Sequence, residues 1–239
     1  GHKWPVFRGG LYQLDDFVGI SSYEFVPSGA ISADLPTEKT YADSLVELVA
    51  GFWTEGYAND GAIELSQAKS ENFERIRCAI TKEFDRSQYT ERPPKLRRNT
   101  NLPLIRWYIF KSVADKILKH TESKKAVKYE FLNSLTKQQL ELFVEVSLLA
   151  DGRNNHIKQS VPERIERLAY ACLLLGRKLS YSKETMGAYG DYGVLDIFTG
   201  RPRLIPYNFR HRGKIKKEKY KGLVWCPTID NHIWLARSQ

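Results

Sequence analysis

Apolar and polar positions repeat along this chain in two similar stretches. TYADSLVELVAGFWTEG, Thr40 to Gly56, and LTKQQLELFVEVSLLADG, Leu135 to Gly152, each carry apolar residues at helical spacing and close on an acid followed by glycine. Thr40 and Thr136 suit the N-cap, and Gly56 and Gly152 accept the left-handed conformation that ends many helices. Further on, ELSQAKSENFERI, Glu64 to Ile76, parallels HIKQSVPERIERL, His156 to Leu168. The acids lie 96 residues apart and the downstream segments 92, so the first copy holds four extra residues in the turn between them. Strands are expected at Ala62 to Gln67 and Asn155 to Ser160. Second helices are expected at Glu71 to Phe84 and Pro162 to Leu175, and another strand in LGRKLSYSKE. A unit that recurs in sequence is expected to fold twice in the same way.

Composition supports a packed protein: 239 residues, 42% of them apolar, suffice for one large domain or two small ones. No apolar run approaches the eighteen or so residues that span a bilayer, and no signal-peptide pattern opens the chain. A cytoplasmic or nucleoid-associated protein is expected. Cys78, Cys172 and Cys226 form no CxxC pair, so neither a disulfide framework nor a zinc cluster is favoured. The chain opens on Gly1 and its only methionine is Met186, which suggests that the natural ends lie beyond it.

The net charge of +9 is unevenly distributed. Residues 1–85 carry −7, residues 86–128 carry +9 and residues 201–221 carry +8. Two concentrated basic segments are the footprint of a surface that tracks phosphates, which makes nucleic acid the leading partner. A solvated helix face gives the same pattern in a single run. Neither run backs onto an apolar stripe, which argues against a membrane surface.

The repeat also matters chemically. If the two copies pack about a pseudo-twofold axis, Glu55 and Asp151 meet at one end of a helix pair. Two close carboxylates at helix C-termini are costly unless a cation neutralises them, and hard oxygen ligands suit Mg²⁺ or Mn²⁺. Such a site hydrolyses phosphodiesters. Taken singly, an acid before a glycine at a helix end is more often a capping feature.

At these residues the chain resembles a known family. LVAGFWTEG, Leu48 to Gly56, and VEVSLLADG, Val144 to Gly152, look like the two signatures of single-chain LAGLIDADG homing endonucleases, and SQAKSEN, Ser66 to Asn72, looks like the strand-to-helix element that follows. The resemblance covers residues 40 to about 185. It implies an α+β fold of two αββαββα repeats, with the signature helices as the seam and the sheets as a saddle over double-stranded DNA. It implies that Glu55 and Asp151 bind the divalent cations, and that Gln67 and Gln159 lie near the metal or the scissile phosphates. Glu64, Ser66, His156 and Lys158 are candidates for base contacts. Arg97, Arg98, Lys214, Lys216, Lys217 and Lys219 are phosphate candidates. Lys158 and Lys183 are candidates for a transition-state lysine by strand position. Two departures stand at the second helix: Val146 replaces the expected glycine and Glu145 the usual alanine, which implies a rotated helix or a looser seam.

The ends look different. HKWPV, His2 to Val6, and GLVWCPTIDNHIWLA, Gly222 to Ala236, resemble blocks of an intein splicing domain, which implies a β-rich flank at residues 1–35 and another at 190–239. The repeats then occupy residues 36–130 and 131–189. The junction nucleophile and terminal asparagine that splicing needs are absent, so autocatalytic splicing by this segment is not expected. The reading that follows is a monomeric, metal-dependent, site-specific DNA endonuclease of intein origin. The alternatives are a non-cleaving DNA- or RNA-binding module of maturase-like or decayed type, and a structural splicing scaffold.

Overall fold

The computed structural model describes residues 34–96, 103–153, 155–185 and 191–198, together with the backbone of four short strands nearer the chain ends. The chain divides into two compact units. One comprises Gly1–Gly29 with Gly200–Gln239; within it β1 (Lys3–Val6) pairs with β2 (Gly10–Gln13), and β3 (Tyr23–Val26) pairs with β12 (Ile205–Asn208), all antiparallel. The other, Ala30–Thr199, holds both halves of the sequence repeat.

That unit is α+β. Its first half runs α1 (Asp43–Glu55), β4 (Gly56–Asn59), β5 (Ala62–Gln67), α2 (Phe73–Glu83), β6 (Tyr89–Leu96), β7 (Pro103–Ile109) and α3 (Lys111–Leu118). After the short α4 (Tyr129–Asn133), the second half runs α5 (Lys137–Asp151), β8 (Gly152–Arg153), β9 (His156–Gln159), α6 (Pro162–Leu174), β10 (Lys178–Thr185) and β11 (Asp191–Phe198). Each half makes a four-stranded antiparallel sheet with the same strand order, β4-β5-β7-β6 and β8-β9-β11-β10. The second repeat therefore extends through β11: a boundary at residue 189 cuts off the strand that joins β9 to β10.

The four-residue length difference between the copies lies in the first hairpin. Its arms are four residues each where the pair is cut to Gly152↔Ile157 and Arg153↔His156 in the second. An Asp60-Gly61 turn with both φ positive (47° and 79°) closes the longer hairpin, matching the twist of its strands. At the edge of the first sheet the register of β6 shifts between Arg92 and Lys95, where Pro93 and Pro94 lack the N–H a ladder needs.

The two signature helices pack on each other as the centre of the core. From α1, Leu45, Val46, Leu48, Val49, Phe52 and Trp53 are buried; from α5, Leu140, Phe143, Val144, Val146 and Ala150 are. Each large side chain buried in this way contributes about 1.5–3 kcal/mol. Polar contacts fix the register. Gln139, in the first turn of α5, donates to the Tyr41 carbonyl (2.7 Å) and to Asp43 (2.9 Å) at the start of α1. More than two turns further along both helices, the Trp53 indole donates to Ser147 Oγ (2.9 Å), and Ser147 donates to the Phe143 carbonyl (2.7 Å). The helices therefore run parallel, starts beside starts.

Their N-termini differ from the expectation in one copy. Thr136 caps α5 with a capping box to Gln139. Thr40 does not cap α1, which begins after Ala42 without a side-chain cap. The Gln139 amide instead ties the Tyr41 carbonyl and the Asp43 carboxylate at that end to the neighbouring helix.

His120, just beyond α3, lies against Tyr41 (ring centroids 4.8 Å) and Phe131 (4.5 Å). Its Nε2 is buried with no hydrogen-bond partner, and burial pushes its pKa down to about 4. The unfolded chain therefore binds a proton that the folded chain refuses between about pH 6.5 and 4, and stability falls as pH drops through that window. Urea melts should lose up to about 3 kcal/mol from this group across that window, and His120→Phe should remove that slope.

Replacing Trp53 by Phe should cost about 1–2 kcal/mol, with a double-mutant cycle against Ser147→Ala recovering most of it as coupling.

Candidate active site at the ends of two parallel helices

Because α1 and α5 run parallel in register, their last residues, Glu55 and Asp151, end up at the same end of the pair. Both helices pass directly into strands without an intervening loop. Gly56 and Gly152 are not left-handed, contrary to the sequence expectation: they are extended, with φ −84° and ψ 160°, and φ −91° and ψ 168°. Their lack of a side chain serves a close approach. A Cβ on Gly56 would sit 2.5 Å from the Phe52 carbonyl oxygen and 2.8 Å from Phe52 Cα; on Gly152 it would meet the Leu148 carbonyl at 2.6 Å. Glycine after the acid lets each chain turn sharply off its helix and leaves the carboxylate at the corner.

The electrostatics of this corner were not foreseen. Lys125 donates from Nζ to the Gly56 carbonyl (2.5 Å) and stands 5.9 Å from the Phe52 ring. Lys69 donates to the Leu149 carbonyl (2.7 Å) and to the Gly152 carbonyl (3.1 Å), and Asn72 Nδ2 joins it at Leu149 (3.1 Å). Burial pushes the Lys125 pKa down to about 8, with Arg164 acting the same way, while Glu55 and Asp151 both pull it back up. The two acids thus share one ammonium group's surroundings. Burial raises the Asp151 carboxyl above its usual range, against the lowering effects of Gln159, Lys69, Lys125 and Arg164. Arg164 is itself held below its usual pKa by burial, opposed by Asp151.

The two glutamines take different positions. Gln159 donates to Asp151 Oδ2. Gln67 borders a cleft that Glu55 also lines, but its Oε1 accepts from the backbone N–H groups of Ala68 (2.9 Å) and Lys69 (2.8 Å). Its role in the free protein is to hold the turn that carries Lys69.

The departures at the second helix are accommodated locally. Glu145 pairs with Arg75 (2.7 Å), which also holds Glu47 (2.9 Å), so α2 clamps α1 and α5 together from outside the seam. Val146 lines the same cleft as Leu48, Gly51 and Ala150. A Cβ at Gly51 would meet nothing within 4 Å, so that glycine does not mark a tight approach.

Glu64 and Ser66 alternate with the buried Ile63, Leu65 and Gln67, and His156 and Lys158 with the buried Ile157 and Gln159. All four candidates for base contact therefore sit on the sheet faces turned away from the helices. In register beside them are Tyr57, Tyr108, Arg106 and Arg92 on the first sheet. In the free protein Glu64 lies 3.5 Å from Arg106 and His156 lies 3.2 Å from Asp196, while Lys158 pairs with Glu184. That last pair leaves Lys158 on the sheet face. Arg97, Arg98, Lys214, Lys216, Lys217 and Lys219 lie outside the described residues, as does the side chain of Lys183.

Among the described residues, no group of three or more His, Cys, Asp or Glu side chains is arranged to hold a metal ion. The donors present are two carboxylates and helix-end carbonyl oxygens that already bind ammonium groups. They fit a hard divalent cation that draws its remaining ligands from water and phosphate, as Mg²⁺ does. Among the described residues, no helix is long and apolar enough to cross a membrane.

No protein-family model matches this chain, and no curated protein does. Among solved structures it is similar to a variant of I-DmoI in complex with its target DNA in the presence of manganese, at 12% identity over 65% of this chain and 87% of that one, TM-score 0.45. It is similar to I-DmoI in complex with DNA and calcium, at 11% identity over 66% and 83%, TM-score 0.45. It is also similar to the N-terminal LAGLIDADG domain of DUF199/WhiA, at 8% identity over 68% and 81%, TM-score 0.44.

Gln67→Leu should destabilise the protein by about 1–3 kcal/mol, since it leaves two backbone N–H groups without their acceptor. Gln159→Leu should cost less in thermal melts, because Asp151 keeps Lys69, Lys125 and Arg164 as charged neighbours.

Proposed function

We propose that this chain is a site-specific, double-strand DNA endonuclease of the LAGLIDADG homing type, dependent on Mg²⁺ or Mn²⁺, acting as a monomer and derived from an intein. The observation that carries the reading is that Glu55 and Asp151 end two parallel helices at the same end, both within electrostatic reach of one lysine. One molecule then holds two related half-sites, each with its own sheet, as cutting two antiparallel strands requires. Pairing of β3 with β12, from opposite ends of the chain, supports a separate flanking unit of the kind a splicing domain supplies. A cytoplasmic, nucleoid-associated location follows from this reading.

On this reading Glu55 and Asp151 hold the cations, and Gln159 fixes the orientation of Asp151 through its amide. A divalent ion bound there supplies charge neutralisation at the phosphate and lowers the cost of ionising the attacking water. Lys69 and Lys125 place positive charge where phosphate oxygens approach. Polar side chains on the outer sheet faces, Glu64, Ser66, His156 and Lys158, contact base edges, and the basic segments at residues 86–128 and 201–221 hold the backbone. The ion pairs on the second sheet must open for this contact, and the phosphate contacts of the basic segments make binding strongly dependent on salt.

The test is cleavage of a supercoiled plasmid pool carrying randomised sites. Linear product should appear with Mg²⁺ or Mn²⁺ and fall by about a hundredfold or more in Glu55→Gln or Asp151→Asn, while both variants still bind selected DNA in Ca²⁺. Undiminished cutting by the double variant would refute the assignment, and tight binding without any cleavage by the native protein would identify a binding module.

A further inference from the structure

We propose that Lys69 and Lys125 are tethered counter-cations that set the affinity of the helix-end site for divalent ions and hold the two helix ends in place when no ion is bound. The proposal rests on the reading of Glu55 and Asp151 as the cation-binding pair.

The placement of the two lysines is matched to an unusual degree. Each donates to the carbonyl of the glycine that follows the acid, Lys125 at Gly56 and Lys69 at Gly152. They come from different places in the fold: Lys69, beyond the first-half strand β5, serves the second-half helix, and Lys125, in the segment that joins the halves, serves the first-half helix. Duplication does not explain the match, because the 92-residue offset that relates the downstream segments puts Val161 opposite Lys69. Electrostatics does explain it. Each helix end combines the negative pole of its dipole with a carboxylate, and each therefore draws a positive group.

Both lysines are held by their backbones. Lys69 N–H donates to Gln67 Oε1 (2.8 Å). Lys124 and Lys125 both adopt left-handed conformations, φ 61° and 63°, which ordinary L-residues keep only where the surroundings impose them. Here the bonds that impose them are visible: Glu122 N–H donates to the Ala126 carbonyl (2.7 Å), Arg164 Nε donates to the Lys124 carbonyl, and Lys124 Nζ pairs with Glu163 (2.9 Å). The strained loop thereby carries Lys125 to the helix-end carbonyl beside Glu55. An ion entering between the carboxylates meets the repulsion of both ammonium groups, so these lysines oppose binding as they support the empty site.

The experiment is Ca²⁺ binding by calorimetry to the full chain, with thermal melts in EDTA and in Ca²⁺. Lys125→Met and Lys69→Met should each bind Ca²⁺ about tenfold more tightly than the native protein. Each should melt lower in EDTA and recover when Ca²⁺ is added, and Lys125→Arg should keep the native affinity. A lysine that is merely structural lowers the melting temperature without tightening Ca²⁺ binding, and unchanged or weaker affinity in both Met variants overturns the proposal. Should one variant fail to fold, the other carries the test from the opposite helix. If Ca²⁺ binding by the native chain is absent, or is untouched by Glu55→Gln and Asp151→Asn, the reading of the site itself falls.

Discussion

Parallel, in-register packing of α1 against α5 is the constraint from which the rest follows. An apolar seam alone would leave the helices free to slide by a turn. Three hydrogen bonds remove that freedom: Gln139 to Tyr41 and to Asp43 at one end, and Trp53 to Ser147 more than two turns further on. Sliding would strand the Trp53 N–H in a core where it has no other partner, at a cost comparable to a large fraction of a domain's stability. The acids at the helix ends are brought together by this register and by nothing local to themselves.

Placing two carboxylates at the negative ends of two helices is unfavourable, and the structure answers it with positive charge from elsewhere in the fold. Lys69, Lys125 and Arg164 come from three segments that are remote in sequence. The turn off each helix is tight enough to exclude a Cβ at Gly56 and Gly152, so the acids stand at the corner between helix and sheet rather than along the helix flank. The result is a region of alternating charge at the helix ends.

The halves are related but not equal. Their strand orders agree, yet the second hairpin is shorter and its glutamine donates to the acid where the first glutamine holds a backbone turn. Duplication supplied the architecture, and subsequent divergence gave each half its own chemistry. Arg75 shows how a divergence can be absorbed: Glu145, out of place at a helix seam, became part of a clamp across both helices.

The repeat, helices α1, α2, α5 and α6, strands β5, β9 and β10 and the two acids could be read from the chain because they depend on spacing within short windows, where apolar period acts directly; β6, β7, α3 and β11 carried no such signal. The β5 segment and the Pro162 helix start appeared where spacing put them. Three matters were decided only in three dimensions. Thr40 is not a cap, since α1 begins only after Ala42, beside residues that Gln139 of the other helix holds; the signature glycines are extended, because what they avoid is a carbonyl four residues back rather than a strained φ. Lys69 and Lys125 reach the helix-end carbonyls beside the acids because the fold places them there. Local pattern sets which segments become helix or strand, whereas the partners of a charge are fixed by contacts between residues 69 to 83 positions apart, which no window of the sequence contains.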